Sequence, residues 1–152
     1  MQTKTKKVLF IVIISIFFIF IWLLIYYGLT TITKPLKSSP YKNIYNTGDV
    51  YLTTDKATYD KGEQIPIYIH NESEQEFVYG SKYSFEVFKD NKWYVVPYRN
   101  GELTFLDIGI ILKAQSTNKE SLDTGHFKYK EGHYRYVKEI QDLPTSVEFY
   151  IK

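Results

Sequence analysis

Gln64-Ile65-Pro66-Ile67-Tyr68-Ile69-His70-Asn71 places an isoleucine at every second position. Successive side chains of a strand point to opposite faces, so Ile65, Ile67 and Ile69 share one face while Pro66, Tyr68 and His70 share the other. A helix would put Ile67 on the side opposite Ile65 and Ile69, so the segment reads as a half-buried β-strand. Pro66 has no backbone N–H to give a neighbouring strand, which predicts a sheet edge or a bulge at that point. Just upstream, Tyr59-Asp60-Lys61-Gly62-Glu63 reads as the turn that leads into it.

Working outward, Val50-Tyr51-Leu52-Thr53 is short and β-prone, and Asp55-Lys56 interrupts it. Downstream, Phe77 to Tyr79 predicts a short strand closed by Gly80. A hairpin follows, with Tyr83 to Phe88 paired to Lys92 to Val96 across Lys89-Asp90-Asn91, residues that tolerate positive φ. Trp93 reads as packing between two sheets. Asn100-Gly101 marks another turn, and Gly109 in the apolar stretch Leu103 to Leu112 suits a bulge or bend. Lys113 to Thr124 is polar and reads as a loop around a short strand. Gly132 to Lys138 is a further strand, and Asp142-Leu143-Pro144-Thr145 breaks the chain before a final strand, Ser146 to Ile151. About seven short strands with frequent turns and no helical period predict an all-β sandwich over residues 49–152.

The N-terminus follows other rules. Val8 to Tyr27 is twenty residues without a charge, proline or glycine. At ~1.5 Å per residue such a helix spans about 30 Å, the thickness of bilayer hydrocarbon. It is apolar on every side, and Trp22, Tyr26 and Tyr27 gather at its C-terminal end, where amphipathic rings sit at headgroups. The expectation is one transmembrane helix over 8–27, in contact with the lipid bilayer. It is too long for a cleaved signal core and lacks a small-x-small site, so it reads as an uncleaved anchor. Lys4, Lys6 and Lys7 precede it and Lys34, Lys37 and Lys42 follow, a nearly even tally, but the first three lie tight against the helix with the α-amino group whereas Lys37 and Lys42 lie farther off. That pattern favours residues 1–7 in the cytoplasm and a single-pass topology with the C-terminal domain outside. Residues 28–48 carry Pro35 and Pro40 and little periodicity, and read as a tether whose 21 residues reach about 70 Å when stretched.

Charge excludes one class of partner. The formal net charge is +2; without the three N-terminal lysines, 16 basic residues face 17 acidic ones, with the signs interspersed. A nucleic-acid binder would carry a concentrated basic face, so no nucleic acid is expected. With 0 Cys, disulfides and thiolate chemistry are excluded, and the β domain is held by its apolar core.

The run from Tyr59-Asp60-Lys61-Gly62-Glu63 through Ile65, Ile67, Ile69, Asn71 and Ser73 resembles the opening two strands of bacterial Ig-like domains, modules of surface or secreted proteins in Gram-positive bacteria. Tyr79-Gly80, Phe85-Glu86-Val87, Trp93 and Val95 continue the pattern. Gly132-His133-Tyr134-Arg135 resembles the start of strand F, where the resemblance implies that the Tyr134 hydroxyl bonds upstream backbone as a tyrosine corner. Tyr136 stands where antibody domains have a cysteine, so the likeness to disulfide-bonded immunoglobulins stops there. The resemblance covers about Asp49 to Lys152 and implies an immunoglobulin-like β-sandwich without implying a chemistry.

Chemistry-bearing residues are sparse. His126 and His133 with Glu131 could be read as a metal site, and His70 is remote; no ligand spacing supports it, and the ordinary reading is a loop histidine and an outward strand histidine. Glu72, Glu74 and Glu76 lack the pattern of a calcium loop and read as a polar turn. Asn71-Glu72-Ser73 is a formal glycosylation sequon that reads as the end of a strand. No nucleophile has a recognisable elbow or base. Tyr68, Tyr94, Tyr98, Tyr129 and Tyr136 are candidates for exposed contact residues, suited to protein or sugar partners. The expectation is therefore a non-enzymatic interaction module at the cell surface, with no catalytic, cofactor or metal residues, no cofactor and no small-molecule substrate. Its partner would be a membrane protein or an envelope polymer. The rival is a membrane-tethered inhibitor or immunity-type protein with one specific protein target.

Overall fold

The computed structural model describes the chain over residues 2–32, 35–46 and 48–152, and its side chains over residues 12–27, 35–46 and 48–152. Lys4, Lys6, Lys7 and Lys34, on which the predicted orientation rests, have side chains outside that description. Two compact units result, Met1–Pro35 and Leu36–Lys152.

The first unit is a helix, α1, Gln2–Ile32. It runs on through Gly28, where the tether was expected to begin. Phe17, Phe18, Phe20 and Trp22 are each 60–65% exposed, so apolar surface faces outward around the helix. Among the described residues no helix is long and apolar enough to cross a membrane.

Among its described residues the second unit contains ten strands where about seven were expected: β1 (Lys37–Ser38), β2 (Val50–Thr53), β3 (Thr58–Tyr59), β4 (Gln64–Asn71), β5 (Phe77–Lys89), β6 (Lys92–Val95), β7 (Gly109–Leu112), β8 (Ser116–Asp123), β9 (Gly132–Ile140) and β10 (Leu143–Ile151). The larger sheet has the order β1-β6-β5-β9-β10-β3, with β7 added to β5; the smaller is β2-β4-β8. β3 joins β10 in parallel, and every other pairing is antiparallel.

β4 behaves as its alternation predicts. Ile65, Ile67 and Ile69 are fully buried, and they belong to one apolar cluster with Phe85, Tyr134, Tyr136, Phe149 and Ile151 of the larger sheet. Phe85 organises that cluster, with ring centroids 5.0 Å from Tyr134, 5.1 Å from Phe127 and 6.2 Å from Phe149. Pro66 is tolerated because β2 reaches only from Tyr68 to Asn71, which leaves that part of β4 with a neighbour on one side alone. The tyrosine corner implied by the resemblance is present, the Tyr134 hydroxyl donating to the Lys130 carbonyl.

Four local expectations differ from what is observed. Gly80 does not end a strand; β5 continues for 13 residues and absorbs the irregularity as a register shift against β9 between Tyr79 and Tyr83. Lys113 to Thr124 is mostly strand, because the inward positions of β8 carry Asn118 and Glu120, which find buried polar partners in place of apolar packing. The last strand starts at Leu143, because Gln141 and Asp142 take positive φ (49° and 63°) and turn the chain tightly enough for Leu143 to pair with Ile140. Finally, residues 36–46 are a strap bound to the sandwich. β1 pairs with β6, Ser39 donates its backbone N–H to the Trp93 carbonyl, the Tyr41 hydroxyl donates to Glu139 at 2.8 Å, and the Tyr45 N–H donates to the Pro144 carbonyl. The strap thus crosses the outer face of the larger sheet from β6 to β10.

Burial of tyrosine makes the sandwich sensitive to alkali. Burial is the main reason the Tyr83 phenol is pushed up to about 12 and Tyr136 well above its ordinary value, with Tyr79 and Tyr134 raised in the same way. An unfolded chain loses these protons near pH ~10. The folded state then binds more protons than the unfolded one, so stability is intact below pH ~10 and falls as pH rises from there toward about 12. Phenolate absorbance from this group is expected to appear together with loss of the β-sheet dichroism. Smooth ionisation near pH ~10 with the dichroism unchanged would contradict the assignment.

Candidate functional site

Alternation decides what the larger sheet shows to solvent. Tyr134, Tyr136 and Lys138 of β9 face inward, so His133, Arg135 and Val137 face the other way, Arg135 and Val137 being buried there as well. On β10, Phe149 and Ile151 point in and Glu148 and Tyr150 point out. On β5 the outward residues include Glu86 and Phe88, and the hairpin register sets Phe88 opposite Trp93 of β6. The turn that fixes this register is Asp90-Asn91, with φ of 49° and 60°, the two-residue geometry whose twist matches paired strands.

A row of rings across four strands results. Phe88 lies 5.0 Å from Trp93, Trp93 5.2 Å from His133, and His133 4.7 Å from Tyr150, centroid to centroid. Tyr150 is 53% and Phe88 37% exposed. His133 Nε2 is 2.8 Å from Glu148 Oε2. Beneath the row the Arg135 guanidinium stacks 4.4 Å from the Trp93 ring, and its Nε and Nη2 reach Glu86 Oε2 at 2.8 and 2.7 Å. Glu86 Oε1 accepts from the Ser39 and Ser84 hydroxyls, both at 2.9 Å. Among the described residues no buried side-chain polar atom lacks a partner. The face thus offers apolar ring surface with a fixed cation under it and a carboxylate beside it, suited to stacking and hydrogen bonding with a partner.

The smaller sheet has a lesser counterpart. The Tyr51 and His70 rings stack at 4.6 Å, His70 is held between the Thr53 and Thr117 hydroxyls, and the Lys119 ammonium lies 5.4 Å from the Tyr68 ring.

Of the tyrosines singled out from sequence, Tyr68, Tyr94, Tyr98 and Tyr129 are half-buried. Tyr136 is in the core, its hydroxyl donating to Glu120 at 2.6 Å, because its strand position faces the smaller sheet. Trp93, expected between the sheets, is on the outer face, because it shares a face with Phe88. Sequence reading missed Phe88, His133 and Tyr150 as a group, since their alignment depends on the register of three pairings. The histidines do not converge: His126 pairs with Asp123 at 3.3 Å, whereas His133 pairs with Glu148. Glu72 accepts from Tyr51 and Glu74 from Gln115. Among the described residues no group of three or more metal-ligating side chains stands together.

A family model for the bacterial Ig-like domain matches residues 46–150, well over half of the chain. The protein belongs to the bacterial Ig-like domain family. No curated protein matches it. Among solved structures it is similar to the alkylpurine DNA glycosylase AlkC of Pseudomonas fluorescens, bound to DNA containing an abasic site analog. The identity is 14% and the TM-score 0.37, over 68% of this chain and 30% of that one.

Proposed function

We propose that the protein is a membrane-anchored Ig-like domain acting outside the cell membrane as a non-enzymatic interaction module, and that it meets its partner through the ring row Phe88–Trp93–His133–Tyr150. The row carries the reading. Aromatic side chains in the open on a rigid sheet are what recognition surfaces collect, because they contribute large contact area for little lost rotamer freedom. The anchor reading is supported by the unbroken apolar run of residues 8–27 and by apolar side chains exposed around the helix, which water solvates poorly. The N-terminal lysines support the outward topology.

The experiment is cross-linking capture from native membranes with the full chain, beside Phe88→Ala/Tyr150→Ala and, as control, Tyr68→Ala on the opposite sheet. The double variant is expected to lose the captured partner while the control keeps it. Equal capture by both sinks the assignment of the surface. The anchor is checked separately: the chain should resist alkaline extraction from membranes, and protease added to intact spheroplasts should digest the β unit.

A further inference from the structure

The β unit is close to neutral overall, yet its charges are sorted by end. The Asp90-Asn91 turn and the start of β9 mark one end of the larger sheet; the Gln141-Asp142 turn marks the other. At the first end lie two adjoining depressions. One, of about 380 Å³, is lined by Lys89, Lys128, Lys130 and Glu131 together with Leu36 and Val96. The other is formed by Lys61, Arg99, Lys128, Tyr129 and Lys130. The two linings therefore hold five cations and one carboxylate, with Asp90 in the turn at the same end. All five are exposed, and none of them makes an ion pair with a described carboxylate. The opposite end leans the other way: one depression of about 370 Å³ is lined by Asp49 and Glu74 with no cation, and a second by Glu139 and Asp142 with Lys82.

Leu36 is the first residue of the β unit and sits in the wall of the basic depression. The chain therefore enters the unit at its cationic end. We infer that this end, through Lys61, Lys89, Arg99, Lys128 and Lys130, rests on an anionic phospholipid surface. The inference rests on the anchor reading above. Two observations carry it independently of each other: exposed cations outnumber carboxylates in the depressions at one end of a near-neutral unit, and the chain enters the unit at that same end. Lysines and arginines within a Debye length of an anionic bilayer are attracted to it, and the acidic end is repelled. The ring row begins at the edge of this contact, since Phe88 also lines the basic depression.

The test uses the full chain in nanodiscs of zwitterionic lipid and in nanodiscs containing anionic lipid. Lysines are acetylated briefly and read by mass spectrometry, with Lys82 and Lys119 as internal references. Anionic discs are expected to lower the modification of Lys61, Lys89, Lys128 and Lys130 by roughly threefold or more against those references. In ~1 M salt, where the Debye length is about 3 Å, the difference should vanish. Equal modification in the two discs overturns the inference while leaving the anchor intact. The same protection from inorganic phosphate in zwitterionic discs overturns it in favour of a small-anion site. A chain that fails to enter either disc removes the anchor reading, and this inference with it.

Discussion

Arg135→Ala is expected to destabilise the β unit by about 3–5 kcal/mol, the range found when one member of a buried ion pair is removed. Glu86 is fully buried, and Arg135 supplies both of its cationic contacts. Without the guanidinium, the carboxylate keeps only the hydroxyls of Ser39 and Ser84. Trp93 also loses the cation stacked on its ring. Replacing the pair together, Glu86→Leu with Arg135→Met, should recover most of the loss, because two apolar groups of similar volume need no countercharge. Urea unfolding of the chain in detergent, followed by tryptophan fluorescence, checks both variants. A loss below ~1 kcal/mol for the single variant would show that the pair is solvated in a way its burial does not allow.

Glu120→Ala should be comparably harmful at neutral pH, and its cost should depend on pH. Lys138 is 1% exposed, and its Nζ lies 2.8 and 2.9 Å from the two Glu120 oxygens. Burial pushes its amine below the ordinary lysine value, and the bond to Glu120 pulls it part of the way back. Without Glu120, burial is opposed only by the Ser81 carbonyl and the Tyr79 ring, and the amine is pushed further below its ordinary value. The unfolded chain still binds that proton up to about pH 10.4. The unfolded state then binds more protons in the window between the lowered folded value and the unfolded one, so the stability of the variant rises with pH there, by up to ~1.4 kcal/mol per unit. Above that window tyrosine ionisation reverses the trend. Unfolding measured across the window should show the gap between variant and parent closing; a constant gap would mean that the amine finds another anion.

How much of this could be read beforehand depended on where each residue's partner lay. Ile65, Ile67 and Ile69 declared their face because an apolar residue at every second position has one physical solution. Tyr134 was legible as a corner from the resemblance, since its partner at Lys130 is four residues away. β8 was misread because an inward Asn or Glu looks like surface until Tyr79, Tyr136 and Lys138 are found opposite. Tyr136 misled for a related reason: both faces of β9 are covered, so alternation alone did not say which one is wet. Trp93 was placed by size, whereas its face is set by pairing with Phe88. The ring row required the registers of β5 with β6, β5 with β9 and β9 with β10 at once, and no single stretch of sequence contains them. The tether failed in its second half because Ser39, Tyr41 and Asn46 bond to residues about a hundred positions away or half that, and short polar segments carry no period to announce it.

The family match opens at residue 46, where the strap ends. Anyone trimming the gene to that boundary would discard Ser39 and Tyr41 and leave the rim of β6 unhemmed at Tyr94 and Val95, an invitation to cross-molecule strand pairing. Recombinant versions begun at Leu36 should stay monodisperse, and those begun at Asn46 should clump.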